Sequence, residues 1–523
     1  MKFAATSSGL LFIARYKGRC RSMDYSPIVE RWCAFEVALQ SVEAFANPFL
    51  EVWLEATFQK EGKRKKVSGF YDGGSSWKVR FMPEEEGIYS FRLSSNLEAF
   101  NGLTGTFACT GAQEGNHGPV RVNGMHFNYA DGTPFFAMGT TAYAWTYRPE
   151  AVRRQTLESF SRHGFNKIRM LVFPKYYRGG DNDVNVSYDP PVFPFAGASN
   201  AFDFQTLLPA YFQNFEERVK DLMKLGIEAD VILFHPYDRW GIDRGMRQED
   251  DVRYVKYLIS RLAAYRNVWW SLANEYDIDE TEDGKFCVGT DRKQWDLLGA
   301  YIYANDPYRH PISNHNFPLG YIYPDRHWLT HVSYQHPDTY TLMIELKNAY
   351  RKPVINDEYQ YEGNIRDEWG NSDAQTTVLR HWLSALAGGY ASHGEVFKTE
   401  GNDQDLFWSY GGILVGDSGS RLKFMKQIIE SCPFQEMKRD PKNTDGHHYF
   451  ALHKGIDEYL FFCRYDLPGK SFWFGPYDGS EPEYEAEIYD VWNCVAKEKK
   501  IVRKGSLLPI SAWTAIRLKR IIG

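Results

Sequence analysis

The chain has no apolar run of the roughly 18 residues that a membrane-spanning helix needs, so it offers no such segment. Cysteine is scarce. The seven residues, at 20, 33, 109, 287, 432, 463 and 494, are widely scattered, odd in number and free of any Cys-x-x-Cys spacing. That excludes a dense disulfide framework or a thiolate metal knot and reads as reduced thiols of a cytoplasmic protein. Excess positive charge is missing as well. A net charge of −6 argues against nucleic acid, whose phosphates demand a basic field. The one basic run, 60–66, lies between two alternating patterns and reads as a solvated hairpin turn. The apolar patch 9–14 is followed by Arg15, Lys17, Arg19 and Arg21 instead of a small-residue cleavage site, which speaks against a signal peptide. Residues 1–22 therefore read as a weakly ordered extension, with Met23 as a second candidate start. Nothing in the composition fixes an oligomeric state, and a homo-oligomer stays open.

What the chain does have is length and aromatics. At 523 residues it exceeds one ordinary domain, while a (β/α)8 barrel takes about 250. From 23 to 111 the period is two: Leu54, Ala56 and Phe58, then Trp77, Val79 and Phe81, then Tyr89, Phe91 and Leu93 alternate with polar residues. Short alternating strands between Gly-rich turns predict an N-terminal antiparallel β-sandwich. The Gly- and Asn-rich stretch 112–124 reads as a linker. From 125 to 433 helix patterns (149–163, 215–225, 252–265, 292–304, 341–350, 376–387) alternate with apolar runs. Those runs, at 135–140, 167–173, 227–234, 267–273, 311–314, 331–334, 354–357 and 390–393, make eight strands. The fold class is α/β, a (β/α)8 TIM barrel. After 433 period two returns in Tyr484, Ala486 and Ile488, which predicts a C-terminal β-sandwich over 434–523.

The chemistry sits at two strand ends. Trp269-Trp270-Ser271-Leu272-Ala273 runs into Asn274-Glu275 at the end of the fourth strand, and Val354-Ile355-Asn356-Asp357 runs into Glu358 at the end of the seventh. The C-terminal ends of barrel strands form the active-site face. Two carboxyls there, one protonated and one ionised, are the equipment for cleaving a glycosidic bond, and a separation of about 5–5.5 Å suits double displacement. On this reading Glu275 protonates the leaving oxygen and then activates water, while Glu358 attacks the anomeric carbon. Asn274 is placed to hold the sugar 2-hydroxyl. His235 and Tyr237 after the third strand, His315 after the fifth, and His336 after the sixth are placed to meet sugar hydroxyls. Tyr334 is a candidate to steady the nucleophile. Asp357 and Glu362 rank below the two catalytic candidates. The segment 174–204 is long enough to wall the pocket.

With these residues the chain resembles the clan of retaining (β/α)8-barrel glycosidases, whose members carry Asn-Glu at the end of strand four and Glu at the end of strand seven. More narrowly it resembles the apiosidase-like barrel hydrolases. The resemblance rests on the run from Leu225-Gly226-Ile227 to His235-Pro236-Tyr237-Asp238, on Asp131-Gly132-Thr133-Pro134-Phe135-Phe136 before the first strand, and on Glu358-Tyr359-Gln360-Tyr361-Glu362-Gly363. Trp32-Cys33-Ala34-Phe35-Glu36 resembles the β-sandwich often found ahead of such barrels. The resemblance implies a cofactor-free hydrolase of oligosaccharides or glycosides. It also implies that Arg169, on strand two, pairs with the nucleophile and keeps it ionised. Many clan members place a Trp on strand eight as the sugar platform. This chain has Ser392-His393-Gly394-Glu395 there, which leaves Trp408 to supply the ring and Glu395 as a hydroxyl ligand.

Two other readings compete. A metal-dependent barrel hydrolase needs a His-x-His pair on strand one, where this chain has Thr140-Thr141-Ala142-Tyr143. The pair His447-His448 falls in the predicted C-terminal domain. No metal ligand set is therefore expected. A catalytically silent carbohydrate-binding protein has no need of both Glu275 and Glu358 at strand ends.

Overall fold

The computed structural model describes residues 20–176, 188–280, 286–288, 292–317, 322–398, 406–442, 444–466, 471–472, 474, 480–503, 506–509 and 511–522. Eight parallel strands follow one another around a single sheet: Met138–Thr141, Lys167–Leu171, Glu228–Phe234, Val268–Ala273, Ile312–Ser313, Val332–Gln335, Val354–Glu358 and Tyr390–His393. The two ends of the sheet meet through a parallel bridge between His315 and Ser333, so the barrel is all but closed. Every described residue of the second, third, fourth and seventh strands is buried, the signature of a parallel sheet covered on both faces.

The helices form where the apolar stripe and the end signals agree. Glu150–His163 stops at Gly164, whose φ of 70° lets its N–H reach back to Phe160 and Ser161. Pro209–Lys224 begins with proline in its first turn, six residues before the expected start at 215. Ala374–Leu386 is capped by the Asp373 carboxylate, which accepts from Thr376 N at 2.7 Å. Gln248–Leu262, Trp295–Asn305 and Thr341–Tyr350 fill their expected places. Ser418–Ser431, after strand eight, completes the ring.

Three boundaries differ from expectation. The expected extension lies outside the described residues up to 19, and strand Cys20–Tyr25 is already paired to Phe35–Ser41. The stretch 112–124 contains strand Val120–Asn123, which pairs with His126–Tyr129 and through it with Pro134–Phe135. Residues 134–135 therefore belong to this small sheet, and the first barrel strand begins at Met138. In the segment 174–204, residues 177–187 lie outside the described residues. The later part of the segment opens a hairpin, Phe195–Ala198 with Ala201–Leu207, turning at Asn200.

The N-terminal region is two sheets of four and five strands, antiparallel except where Ile28–Glu30 runs parallel to Thr104–Thr110, over a core of stacked phenylalanines, Phe58 on Phe81 and Phe35 on Phe107. The C-terminal region is a six-stranded antiparallel sheet with a two-stranded partner. It rests on the barrel through Phe462 stacked against Trp382.

The N-terminal sheets are joined to the barrel by buried charge. Arg80 grips Glu216 with both terminal nitrogens, at 2.8 and 2.9 Å. Arg261 donates to the same carboxylate at 2.6 Å and also bonds Asp72. Asp72 and Arg80 come from the sheet; Glu216 and Arg261 come from barrel helices. Burial pushes the Glu216 carboxyl up, but Arg80, then Arg261 and Lys220, pull it well below the ordinary glutamate range. Its stabilising contribution is therefore complete above that range and is lost as pH falls through the depressed folded-state value. Glu216→Ala strands two buried guanidinium groups and is expected to cost about 3–5 kcal/mol in urea denaturation at neutral pH. Glu216→Gln, which keeps an acceptor, is expected to cost less.

Candidate active site

Strand two sets the geometry. Lys167, Arg169 and Leu171 alternate with Ile168 and Met170, so one face of the strand sends two cations toward the barrel axis. Lys167 lies deeper, 2.5 Å from Asp230 and 2.9 Å from Asp357. Arg169, fully buried, lies one layer higher. Its Nη1 donates to Glu358 Oε1 at 2.7 Å and its Nη2 to Asn274 Oδ1 at 2.8 Å.

Asp357 and Glu358 are sequence neighbours, yet both carboxylates reach the barrel axis. Strict alternation forbids that. The pairing of strands six and seven skips a residue here, with Tyr334 opposite Asn356 and Gln335 opposite Glu358. This irregularity re-aims the last side chain. Asp357 Oδ2 then accepts from Ser333 at 2.6 Å, and its Oδ1 from Ser392 at 2.6 Å. Glu358 sits above, with Tyr143 donating to Oε1, Tyr361 to Oε2, and His315 Nε2 3.5 Å from Oε1.

Glu275 comes from strand four. Its φ of 51° lies in the left-handed region, a conformation that costs a non-glycine residue about 1–3 kcal/mol and is held only by its surroundings. Gln335 connects the two carboxyls: its side chain bonds Glu275, and its Oε1 lies 3.1 Å from His315 Nε2. Asn274 Oδ1 accepts from Arg169 and lies 3.0 Å from the Tyr143 hydroxyl, whose single proton goes to Glu358.

The two carboxyls are biased in opposite directions. Burial pushes Glu275 up, the charge of Glu358 adds to this, and together they carry it to about 8 against the opposing pull of Lys175 and Gln335. Burial also pushes Glu358 up, but the His315 hydrogen bond, the Arg169 charge and the Tyr143 hydroxyl reverse the sign and hold it well below the ordinary range. At neutral pH one glutamate is an acid and the other an anion.

The remaining candidates fall into two groups. His235 is buried beside Tyr237, accepts from Tyr237 N at 3.1 Å through Nδ1, and is pushed by burial down to about 3, so its ring is neutral. Trp408 packs its indole near Tyr143 and Tyr361, the two hydroxyl donors to Glu358, with ring centroids 6.4 and 5.6 Å away. Three candidates are not brought to the pair. Tyr334 points outward among Val332, Met343, Leu346 and Val354, its hydroxyl on Asp338 O at 3.2 Å. Its place as a partner of Glu358 is taken by Tyr143 and Tyr361. His336 contributes its backbone N–H to Glu358 O at 3.0 Å, while its ring nitrogen accepts from Asp338 N within its own turn. Glu395 binds the backbone N–H groups of Val415 and Gly416 at 2.7 and 2.9 Å.

Glu362, His393 and Glu395 do bring ligand atoms within 4.8 Å of one another. All four carboxylate oxygens already accept N–H groups of 415–418, and a Cβ at Gly416 would run into both glutamates. Positive amide dipoles on every oxygen fit a clamp on this loop and do not fit a cation site. Sequence reading missed Tyr143, Lys175, Gln335 and Tyr361. Each follows or ends a barrel strand, and the strand-end rule that found Glu275 and Glu358 would have found them if applied to strands one, two and six and carried three residues past strand seven.

Removing one donor from Glu358 is expected to let its carboxyl titrate higher. Tyr143→Phe and Tyr361→Phe should each lower turnover by about 10²-fold and raise the acidic limb of the pH profile, measured as kcat/KM on an aryl glycoside between pH 3 and 7.

Comparison with known proteins agrees with this architecture. A family model described as "Apiosidase-like, catalytic domain" matches residues 121–399, and one described as a domain of unknown function (DUF5060) matches residues 28–96. A candidate glycoside hydrolase from Bacteroides vulgatus is 36% identical, with a TM-score of 0.83 over 95% of this chain and 100% of that one. A family 5 glycoside hydrolase from the same organism shares the fold at 16% identity, with a TM-score of 0.54 over 77% of this chain and 94% of that one. No curated protein matches the sequence. Since the first match covers more than half of the residues and the 36% identical structure spans nearly all of them, the chain belongs to the apiosidase-like family and is a glycoside hydrolase.

Proposed function

We propose that the protein cleaves the glycosidic bond of an oligosaccharide or glycoside with retention of configuration, by double displacement. Glu358 is the nucleophile and Glu275 the acid/base. The observation that carries this reading is the placing of two buried carboxyls at one end of the barrel, Glu358 held by Arg169 and joined to Glu275 through His315 and Gln335, in surroundings that bias their protons in opposite directions. In the first step Glu275 gives its proton to the leaving oxygen as Glu358 bonds the anomeric carbon. In the second, water attacks that carbon, gives its proton to Glu275, and returns the bonding pair to Glu358.

Arg169, Tyr143 and Tyr361 hold Glu358 in one orientation and keep it charged. Asn274 is oriented by Arg169, leaving its amide to meet the 2-hydroxyl where charge develops on the ring. Trp408 offers an aromatic wall. The family's name directs the substrate panel toward furanosides alongside pyranosides. A cytoplasmic site of action, trimming imported oligosaccharides, is supported by the free thiols of Cys33, Cys109, Cys432, Cys463 and Cys494 among the described residues.

Glu358→Ala and Glu275→Gln are each expected to lower kcat by several orders of magnitude with the fold intact by circular dichroism. Azide should rescue Glu358→Ala and give product of inverted configuration, read by NMR. In the wild type, kcat/KM should fall as pH rises through about 8, where Glu275 loses the proton it must donate. Undiminished activity in either variant would overturn the assignment.

A further inference from the structure

The outer face of the five-stranded N-terminal sheet carries charge that the fold leaves without partners. In strand Leu54–Lys60 the side chains of Leu54, Ala56 and Phe58 turn into the core, so Glu55, Thr57 and Gln59 face outward. The register puts Thr57 opposite Lys66 on the edge strand Lys63–Ser68 and opposite Arg92 on Gly87–Ser95. Gln59 lies opposite Arg64 and Ser90 in the same way. Trp53 continues the alternation between buried Val52 and Leu54 and is 47% exposed. One face of the sheet therefore presents an indole, three cations and a row of hydroxyls.

A single carboxylate on this face answers the cations: Glu55 holds Lys66 at 2.6 Å. Among the described residues, Arg64 and Arg92 meet no carboxylate within ion-pair reach. The barrel helix Gln248–Leu262 adds Lys256, exposed and likewise without a carboxylate partner among the described residues. Two cavities of about 440 and 470 Å³ open along the seam between sheet and helix. Trp53 lines the first and Arg64 and Lys66 the second, while Glu55, Lys256 and Ser260 line both. The cavities thus meet along one groove that runs from the indole to the cations, and each is as large as a small-ligand site of about 300–1,000 Å³. None of the groups bonded to Glu275 or Glu358 lines either cavity.

The arrangement costs the free protein something. Lys66 and Arg92 flank Thr57 at two strand spacings, about 10 Å, and Arg64 follows Lys66 at about 7 Å along the edge strand. Four cations against one carboxylate make a local positive field on a chain whose net charge is −6. An anion laid along the groove relieves that repulsion. A guanidinium fork matches a planar carboxylate, and an exposed indole covers the apolar face of a ring. In a glycoside hydrolase, the ligand that answers both halves of the groove is a sugar chain bearing carboxylates.

We propose that this seam is a second saccharide-binding surface, apart from the barrel mouth, that holds a uronate-bearing glycan. Trp53 stacks on one ring, and Arg64, Arg92 and Lys256 pair with the carboxylates. The surface keeps an acidic polymer on the enzyme while the barrel acts elsewhere on it. The inference goes beyond the double-displacement reading and does not depend on which glutamate does what.

The test is equilibrium binding of the full-length protein to immobilised polygalacturonate, to its methyl-esterified form and to polyglutamate, by biolayer interferometry. Polygalacturonate is expected to bind, and the other two polymers at least about ten-fold more weakly, because one lacks the charge and the other the rings. Trp53→Ala and the double variant Arg64→Ser/Arg92→Ser should each weaken binding about ten-fold. Both should keep the wild-type kcat/KM on a small aryl glycoside, which reports an intact fold and active site. If Trp53→Ala does not fold, Trp53→Gln is read in the same way. Glu358→Ala should bind the polymer as the wild type does. No binding to polygalacturonate would overturn the proposal, as would equal binding to its methyl ester. Equal binding to polyglutamate or RNA, or indifference to the loss of the indole, would reduce the groove to a patch of charge and overturn it too. Loss of binding in Glu358→Ala would place the polymer in the barrel instead.

Discussion

A guanidinium cannot shed its charge in a protein, and one buried on the axis of a barrel must be met by an anion and by hydrogen-bond acceptors. Arg169 is that group. Its demand ionises Glu358, orients Asn274 and, through the charge it maintains on Glu358, keeps Glu275 protonated. The layer beneath repeats the theme with Lys167 between Asp230 and Asp357. The polar interior is thus a stack of two charged storeys, the upper one at the C-terminal ends of the strands.

The lower storey explains why the upper one is rigid. Asp357 is tied to Lys167, Ser333 and Ser392, members of strands two, six and eight. Its neighbour Glu358 therefore starts from a fixed backbone. His315 extends the same network, contacting Ser333 through Nδ1 at 2.8 Å and Gln335 through Nε2. The two buried carboxyls are thus held by a network that lies beneath and beside them, the kind of support that fixes a constellation of side chains in one geometry.

Much of this was legible because barrel chemistry obeys a positional rule. Eight apolar runs alternating with helical patterns pointed to the barrel, and a carboxylate at the end of a run marked Glu275 and Glu358. Arg169 was reached through the resemblance to barrel glycosidases, which implies a cation on strand two beside the strand-seven glutamate. The rest was hidden for physical reasons. A skipped residue between strands six and seven turns Glu358 inward, and no periodicity announces it, whereas Tyr334 faces outward by plain alternation between Ser333 and Gln335. Glu395 read as a sugar ligand because its place on strand eight is right. Its acceptors are instead used by the backbone amides of Val415 and Gly416, some twenty residues on, a contact that only the folded chain creates. The hairpin after 194 escaped notice because Gly, Asn and Pro dominate the segment, although Phe202, Phe204 and Thr206 alternate with Ala201, Asp203 and Gln205 as a strand should.

The Arg80–Glu216–Arg261 joint has a consequence for how this chain can vary. Two barrel helices are written around partners that the N-terminal sheets supply. Trimming the chain to its catalytic portion would leave Arg261 without Asp72 and would bare the Tyr257 and Phe70 contact that shelters its guanidinium. Shuffling of either half onto a new companion would meet the same unmatched charges. The sandwich and the barrel are therefore bound to be inherited together, as one foldable unit with a seam that neither side can close alone.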